Sequence, residues 1–190
     1  MQAARGASLN PSDPAHPTAD RRSAPGARPR ALALLGGVAA LGYALDLATK
    51  VLAVEHLTGR APVRVVGDLL TFNLARNPGA AFSTGTSYTL VLSLVAIAAV
   101  GTVLWFSRRL RSTGWAVALG FLLAGVCGNL TDRVFRAPGF LRGHVVDFLQ
   151  LPHWPIFNVA DVCINIAAGV IIVQALRGVS LDGTRTRKQP

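Results

Sequence analysis

The sequence predicts an all-α integral membrane protein with four transmembrane helices and a small extracytoplasmic β-containing loop region. Three observations predict it. Four apolar stretches approach the roughly 20 residues that cross a bilayer. Arginines crowd the ends of these stretches instead of forming one basic helix. The segment between the first two alternates apolar and polar residues as strands do. The chain is 51% hydrophobic and 15% charged, a balance that suits lipid better than water.

Residues 1–30 are rich in Pro, Ala, Ser and Arg, with Arg21, Arg22, Arg28 and Arg30, and lack a periodic apolar face. They are expected to be a disordered basic tail. The apolar run that follows is too long for a signal-peptide core and has no A-x-A site behind it, so it is expected to be retained. The four spans are expected at about Ala31–Ala53, Tyr88–Phe106, Trp115–Val134 and Ile156–Leu176, within a membrane domain of residues 31–177 followed by a tail at 178–190.

Four spans put both termini on one side. The connection Ser107–Ser112 carries Arg108, Arg109 and Arg111, and the C-terminal tail carries Arg185, Arg187 and Lys188. Positive charge marks the cytoplasmic side, which places both termini and this loop there. Residues 54–87 then face outward, with one or two short strands expected across Ala61–Leu74, and residues 135–155, with Pro138, Gly139, Gly143, Pro152 and Pro155, are expected to be loop. The net charge of +10 is spread as membrane topology and not as a nucleic-acid surface.

This topology brings the polar residues to one depth. Asp46 lies in the outer part of span one, Asn77 precedes span two, Asn129, Asp132 and Arg133 end span three, and Asn158 and Asp161 open span four. Ionisable groups inside a membrane are costly, so a cluster on three helices at a shared depth is a functional site by default, weighed here above scattered polar glue. Asn129 and Asp132, and again Asn158 and Asp161, repeat N-x-x-D, which sets an amide and a carboxylate on one helical face. Asp46 and Lys50 stand four residues apart, where mutual neutralisation is the favoured reading.

Asp147, between Val146 and Phe148, can approach Asp161 from the loop side. Two acids in an apolar setting hold one proton between them, the arrangement that lets one carboxylate activate water while the other polarises a peptide carbonyl. Asp132 is equally acidic at a similar depth, and these residue types alone leave it open as a partner. Other chemistries have less support. There is no GxSxG elbow, Cys127 and Cys163 read as small core residues, and His144, Asp147 and His153 lack the spacing of a metal site, so neither metal nor organic cofactor is expected. A transporter would spread polar groups through the whole depth, whereas the inner halves of spans two to four are apolar. A non-catalytic scaffold is the remaining alternative.

Five ordered motifs, Asp46-Leu47-Ala48-Thr49-Lys50, Asn77-Pro78-Gly79-Ala80-Ala81-Phe82, Gly128-Asn129-Leu130-Thr131-Asp132-Arg133, Val145-Val146-Asp147-Phe148 and Phe157-Asn158-Val159-Ala160-Asp161, resemble bacterial lipoprotein signal peptidase, or signal peptidase II. The resemblance covers about residues 31–177. It implies an aspartic endopeptidase of the bacterial inner membrane that removes the signal peptide of prolipoproteins on the amino side of a diacylglyceryl-modified cysteine. By motif matching the dyad falls on Asp147 and Asp161. Asn129 and Arg133 are similar to residues that contact the substrate backbone, and Asn77, Gly79, Asp132, Asn158 and Ala160 to supports of the site, with Asp46 and Lys50 structural or substrate-facing. Prolipoproteins and membrane lipids are the expected partners, nucleic acid is not, and a monomer is expected with its site at the outer leaflet.

Overall fold

The computed structural model describes residues 26–79 and 88–185. Four long helices, α1 (Ala27–Leu57), α2 (Tyr88–Ser107), α3 (Thr113–Phe135) and α4 (Val159–Leu176), are each long and apolar enough to cross a membrane. Three strands, β1 (Val63–Val66), β2 (Leu70–Asn77) and β3 (Val145–Gln150), form one antiparallel sheet in the order β1-β2-β3. The first helix starts four residues before the expected apolar run, and α4 starts three residues after it. Residues 1–25, Ala80–Phe82 of the second motif, and Arg187 and Lys188 lie outside the described residues.

The distribution of side chains is that of a protein dissolved in lipid. Large apolar residues such as Leu41, Leu45, Val51, Leu94, Val95, Leu104, Ile172 and Leu176 are exposed, while small and polar residues fill the interior. On α1 the buried positions Ala31, Leu35, Ala39, Gly42, Asp46, Lys50 and Ala53 recur every three or four residues, a single stripe facing the bundle. α3 is the central helix, with α1, α2 and α4 all packed against it.

Lipid tails give helices no hydrophobic reason to associate, so close backbone approach matters more here than in water. Gly125 and Gly128 supply it on α3. A Cβ on Gly125 would collide with the Ala160 carbonyl oxygen and lie 2.7 Å from Ile164, and one on Gly128 would meet the Asp46 carboxylate and lie 3.2 Å from the Ala160 Cβ. These two glycines therefore draw α1 and α4 together around α3 at the level of the acidic residues, and Ala160 is fully buried between them.

The region 135–155, expected to be loop, contains β3. Its residues Val145, Val146, Asp147 and Phe148 are buried in succession, so the strand lacks the alternation that marks a one-sided sheet. It pairs with β2 through Thr71 to Gln150, Phe72 to Leu149 and Asn77 to Val145, and Phe72 meets Phe148 edge to face at 6.2 Å. Helix α2 anchors the region from its side: Ser93 Oγ donates to the Leu141 carbonyl at 2.7 Å, and Thr89 Oγ1 donates to that of Pro78.

Candidate active site

Register places the first carboxylate. Asn77 faces Val145 across the β2–β3 pair, so Asp147, two residues further along β3, is its diagonal neighbour on the same face. Asn77 Nδ2 donates to Asp147 Oδ2 at 2.9 Å. The other end of the Asn77 amide is fixed too, because Gly79 N–H donates to its Oδ1 at 2.8 Å. Gly79 has φ 115°, a conformation L side chains rarely adopt, and a Cβ there would lie 2.6 Å from Leu92 and 3.4 Å from Arg133 Nη1.

A helix start places the second carboxylate. Asn158 is the N-cap of α4 and not part of its first turn: its Oδ1 accepts from Asp161 N–H at 2.9 Å, and Asp161 Oδ2 accepts from Asn158 N–H at 3.1 Å. This reciprocal box satisfies two helix-end donors and orients Asp161 at once. Asn158 Nδ2 spends its two hydrogens on Asp147 Oδ1 at 2.6 Å and Asn129 Oδ1 at 3.1 Å. One carboxamide thus joins the strand acid to the helix acid.

Lys50 completes the frame from α1. Its ammonium lies 2.9 Å from Asp46 Oδ2 and 3.0 Å from Asp132 Oδ2, and donates to Asn129 Oδ1 at 2.9 Å. With its oxygen facing Lys50 and Asn158, Asn129 must turn its Nδ2 outward, where it donates to Asp161 Oδ1 at 2.9 Å. Asp46 also accepts from Ala160 N–H at 2.8 Å, tying α1 to the start of α4. The local neutralisation expected of Asp46 and Lys50 is therefore one side of a wider buried network.

The same accounting separates Asp132 from the other two acids. Its Oδ1 is taken by Arg136 Nε, and its Oδ2 by Lys50 and by Val146 N–H at 3.1 Å. With two cations against it and 2% exposure, it is fully engaged and closed to a water nucleophile. Among the described residues, the Asp147 and Asp161 carboxylates accept hydrogen bonds only from amide groups. Arg136, which is absent from the site residues expected of the sequence, is the partner missed, and its i, i+4 spacing from Asp132 was the available signal.

Burial of Asp147 pushes its carboxyl up to about 6, with the charge of Asp161 adding to the rise and hydrogen bonds from Asn77 and Asn158 opposing it. Arg133 is 8% exposed, and its Nη1 has no hydrogen-bond partner among the described residues. It lies beside Gly79 and acts electrostatically with Asp147, Asp132 and Asp161. A buried guanidinium nitrogen left unpaired is a donor awaiting a carbonyl. Every residue expected at the site lies in this one assembly. Among the described residues, no group of three or more His, Cys, Asp or Glu is placed to hold a metal ion.

A family model described as signal peptidase (SPase) II matches residues 38–177. The lipoprotein signal peptidase of Mycobacterium avium is 52% identical over 161 residues, covering 85% of this chain and 88% of its own. That of Mycolicibacterium smegmatis is 48% identical, covering 94% of this chain and 77% of its own. Among solved structures, a bacterial membrane enzyme matches in fold with a TM-score of 0.68 at 24% identity, over 84% of this chain and 94% of that one. A second structure of a bacterial membrane enzyme gives a TM-score of 0.66 at 26% identity, over 77% and 94%. With the family model matching residues 38–177 and relatives near half identical, the chain belongs to the signal peptidase II family.

Proposed function

We propose that Asp147 and Asp161 are the catalytic pair of this membrane peptidase, and that it hydrolyses prolipoproteins on the amino side of their diacylglyceryl-modified cysteine. The observation that carries the assignment is the Asn158 side chain, which bonds the Asp147 carboxylate and the Asp161 N–H, while among the described residues neither carboxylate is in an ion pair. Asp161 takes a proton from water, and the hydroxide attacks the scissile carbonyl carbon. Asp147 gives its proton to the carbonyl oxygen, so the tetrahedral intermediate is a neutral gem-diol. Collapse returns the oxygen's proton to Asp147, breaks the C–N bond, and passes the proton on Asp161 to the departing amine.

Arg133 offers its free Nη1 to a substrate backbone carbonyl, and Asn77, Asn129 and Asn158 act as positioning residues. Arg133→Gln is expected to raise KM about tenfold or more, the loss of a charged hydrogen bond, with a smaller change in kcat. Steady-state kinetics check this, and an unchanged KM contradicts it.

The raised carboxyl of Asp147 sets the pH dependence. If it must carry the proton, kcat/KM falls as pH rises through about 6. Stability follows the same sign: folding raises this group's proton affinity, so its contribution is complete below 3.8 and lost as pH rises through about 6. Cleavage rates measured from about pH 5 to pH 8 test the catalytic arm, and a flat profile contradicts it.

The arginines of residues 107–112 and the C-terminal tail support an orientation with both termini cytoplasmic and the pair at the outer leaflet. There a diacylglyceryl cysteine keeps its acyl chains in lipid while its peptide bond meets the pair, and search becomes lateral. The site is built from one chain, which supports a monomer. Residues 54–87 are proposed to close over bound substrate, as lids elsewhere exclude water. The substrate assignment is tested by offering wild type the same prolipoprotein with and without diacylglyceryl. Selective cleavage of the lipidated form is expected, and equal cleavage of both contradicts it.

A further inference from the structure

At the far end of the bundle, where α3 begins and α4 ends, the chain builds an open polar pocket, rimmed by exposed arginines, that the peptidase chemistry leaves unused. A cavity of about 400 Å³ is lined by Arg111, Gln174, Arg177 and Arg185 together with the first residues of α3, Thr113 and Gly114. Among the described residues, the ion pairs are Lys50 with Asp46 and Asp132, Arg64 with Asp68, and Arg136 with Asp132, so none of these three arginines has a carboxylate partner. The acid near them, Asp182, feels the charge of Arg111 but makes no ion pair with it, and its Oδ1 is engaged by its own turn, accepting from Thr184 N–H at 2.9 Å and Thr184 Oγ1 at 2.7 Å.

The arginines are held on a fixed frame. Arg111 and Ser112 N–H groups both donate to the Leu181 carbonyl, at 2.9 and 3.0 Å. Trp115 Nε1 donates to the Val179 carbonyl at 2.7 Å, and Val179 pairs with Arg185 in an isolated bridge. Gln174 gives an independent indication of a ligand. It is 7% exposed, and its side chain lies against Gly114, where a Cβ would stand 2.7 Å from its Cδ. Its Nε2 reaches only Ser112 Oγ, at 3.5 Å, the outer limit of a hydrogen bond, and its Oε1 has no partner among the described residues. Turned over, the same amide accepts from the Ser112 hydroxyl through Oε1 and presents Nε2 to the cavity as a donor for an anion.

Three guanidiniums, a buried amide and the N–H groups that open a 23-residue helix make a receptor for an anion with several oxygens. α3 spans about one bilayer thickness between this cavity and Asp132, so the receptor lies at the opposite interface, at the depth of lipid phosphates. Val173 and Leu176, next to Gln174 and Arg177, are exposed as lipid-facing residues are. We propose that this cavity binds the phosphate of an anionic phospholipid, with the acyl chains lying along α4. The assignment is independent of the catalytic pair. Only the leaflet rests on the proposed orientation, which makes it cytoplasmic.

Native mass spectrometry of the full chain, delipidated in detergent and titrated with phosphatidylglycerol or with phosphatidylcholine of the same acyl chains, tests this. Wild type is expected to prefer phosphatidylglycerol by about tenfold or more, given three basic contacts. Arg111→Gln with Arg177→Gln, and separately Gln174→Leu, are expected to reduce that preference to about twofold or less. Arg108→Gln with Arg109→Gln, which removes equal charge outside the cavity, is expected to keep it. Equal retention of both lipids by wild type, an equal loss in the Arg108 and Arg109 control, or displacement of bound phosphatidylglycerol by an equal concentration of inorganic phosphate would each overturn the proposal.

Discussion

Lys50→Met is expected to destabilise the fold by about 3–5 kcal/mol, the range for removing one partner of a buried ion pair. Lys50 and Asp46 are each 1% exposed and Asp132 2%, and the lysine ammonium is within 3.0 Å of both acids. Without it, two carboxylates face each other in a low-dielectric interior, with Arg136 left to one of them. Asn129 also loses the donor that fixes its oxygen, and with it the orientation of the amide that holds Asp161. For a chain of this size the loss corresponds to a fall in Tm of roughly 6–20 °C. Adding Asp46→Asn to Lys50→Met is expected to recover part of it, because the second change removes one stranded charge. Thermal unfolding in one detergent compares the three proteins, and a single variant that melts with wild type contradicts the network.

Asp147→Asn and Asp161→Asn are expected to lower turnover by about 10²–10⁴-fold each, the range over which positioned acid–base groups act. The two losses are not expected to multiply, since a pair that shares a proton fails as a unit. Asp132→Asn has a different signature. It leaves both members of the pair in place but unbalances Lys50 and Arg136 and weakens the acceptor for Val146 N–H, so its main effect falls on stability.

The four spans were legible because lipid selects for unbroken apolar runs, and the shared depth of the acids followed from counting residues along them. Strand β3 was not legible. Its buried run from Val145 to Phe148 has no alternation, and the prolines and glycines around it dominated the local reading. The repeated N-x-x-D also concealed two functions. In Asn158 to Asp161 it is a capping box, legible as such in principle. In Asn129 to Asp132 it is a pair of acceptors, in the last turns of α3, for one lysine from another helix. The local pattern can reveal the first but not the second, whose partner on α1 lies far away in sequence. For the same reason Asp132 stood level with Asp147 and Asp161 until Lys50, Arg136 and Val146 were found around it.

The most direct test is cleavage of a lipid-modified prolipoprotein in nanodiscs by wild type, Asp147→Asn, Asp161→Asn and Asp132→Asn, with melting curves recorded on the same preparations. The account predicts that both dyad variants stay folded and stop cleaving, while Asp132→Asn melts lower and retains turnover at temperatures where it is folded. Near-normal turnover by either dyad variant, or a folded Asp132→Asn protein as inactive as the other two, would contradict it.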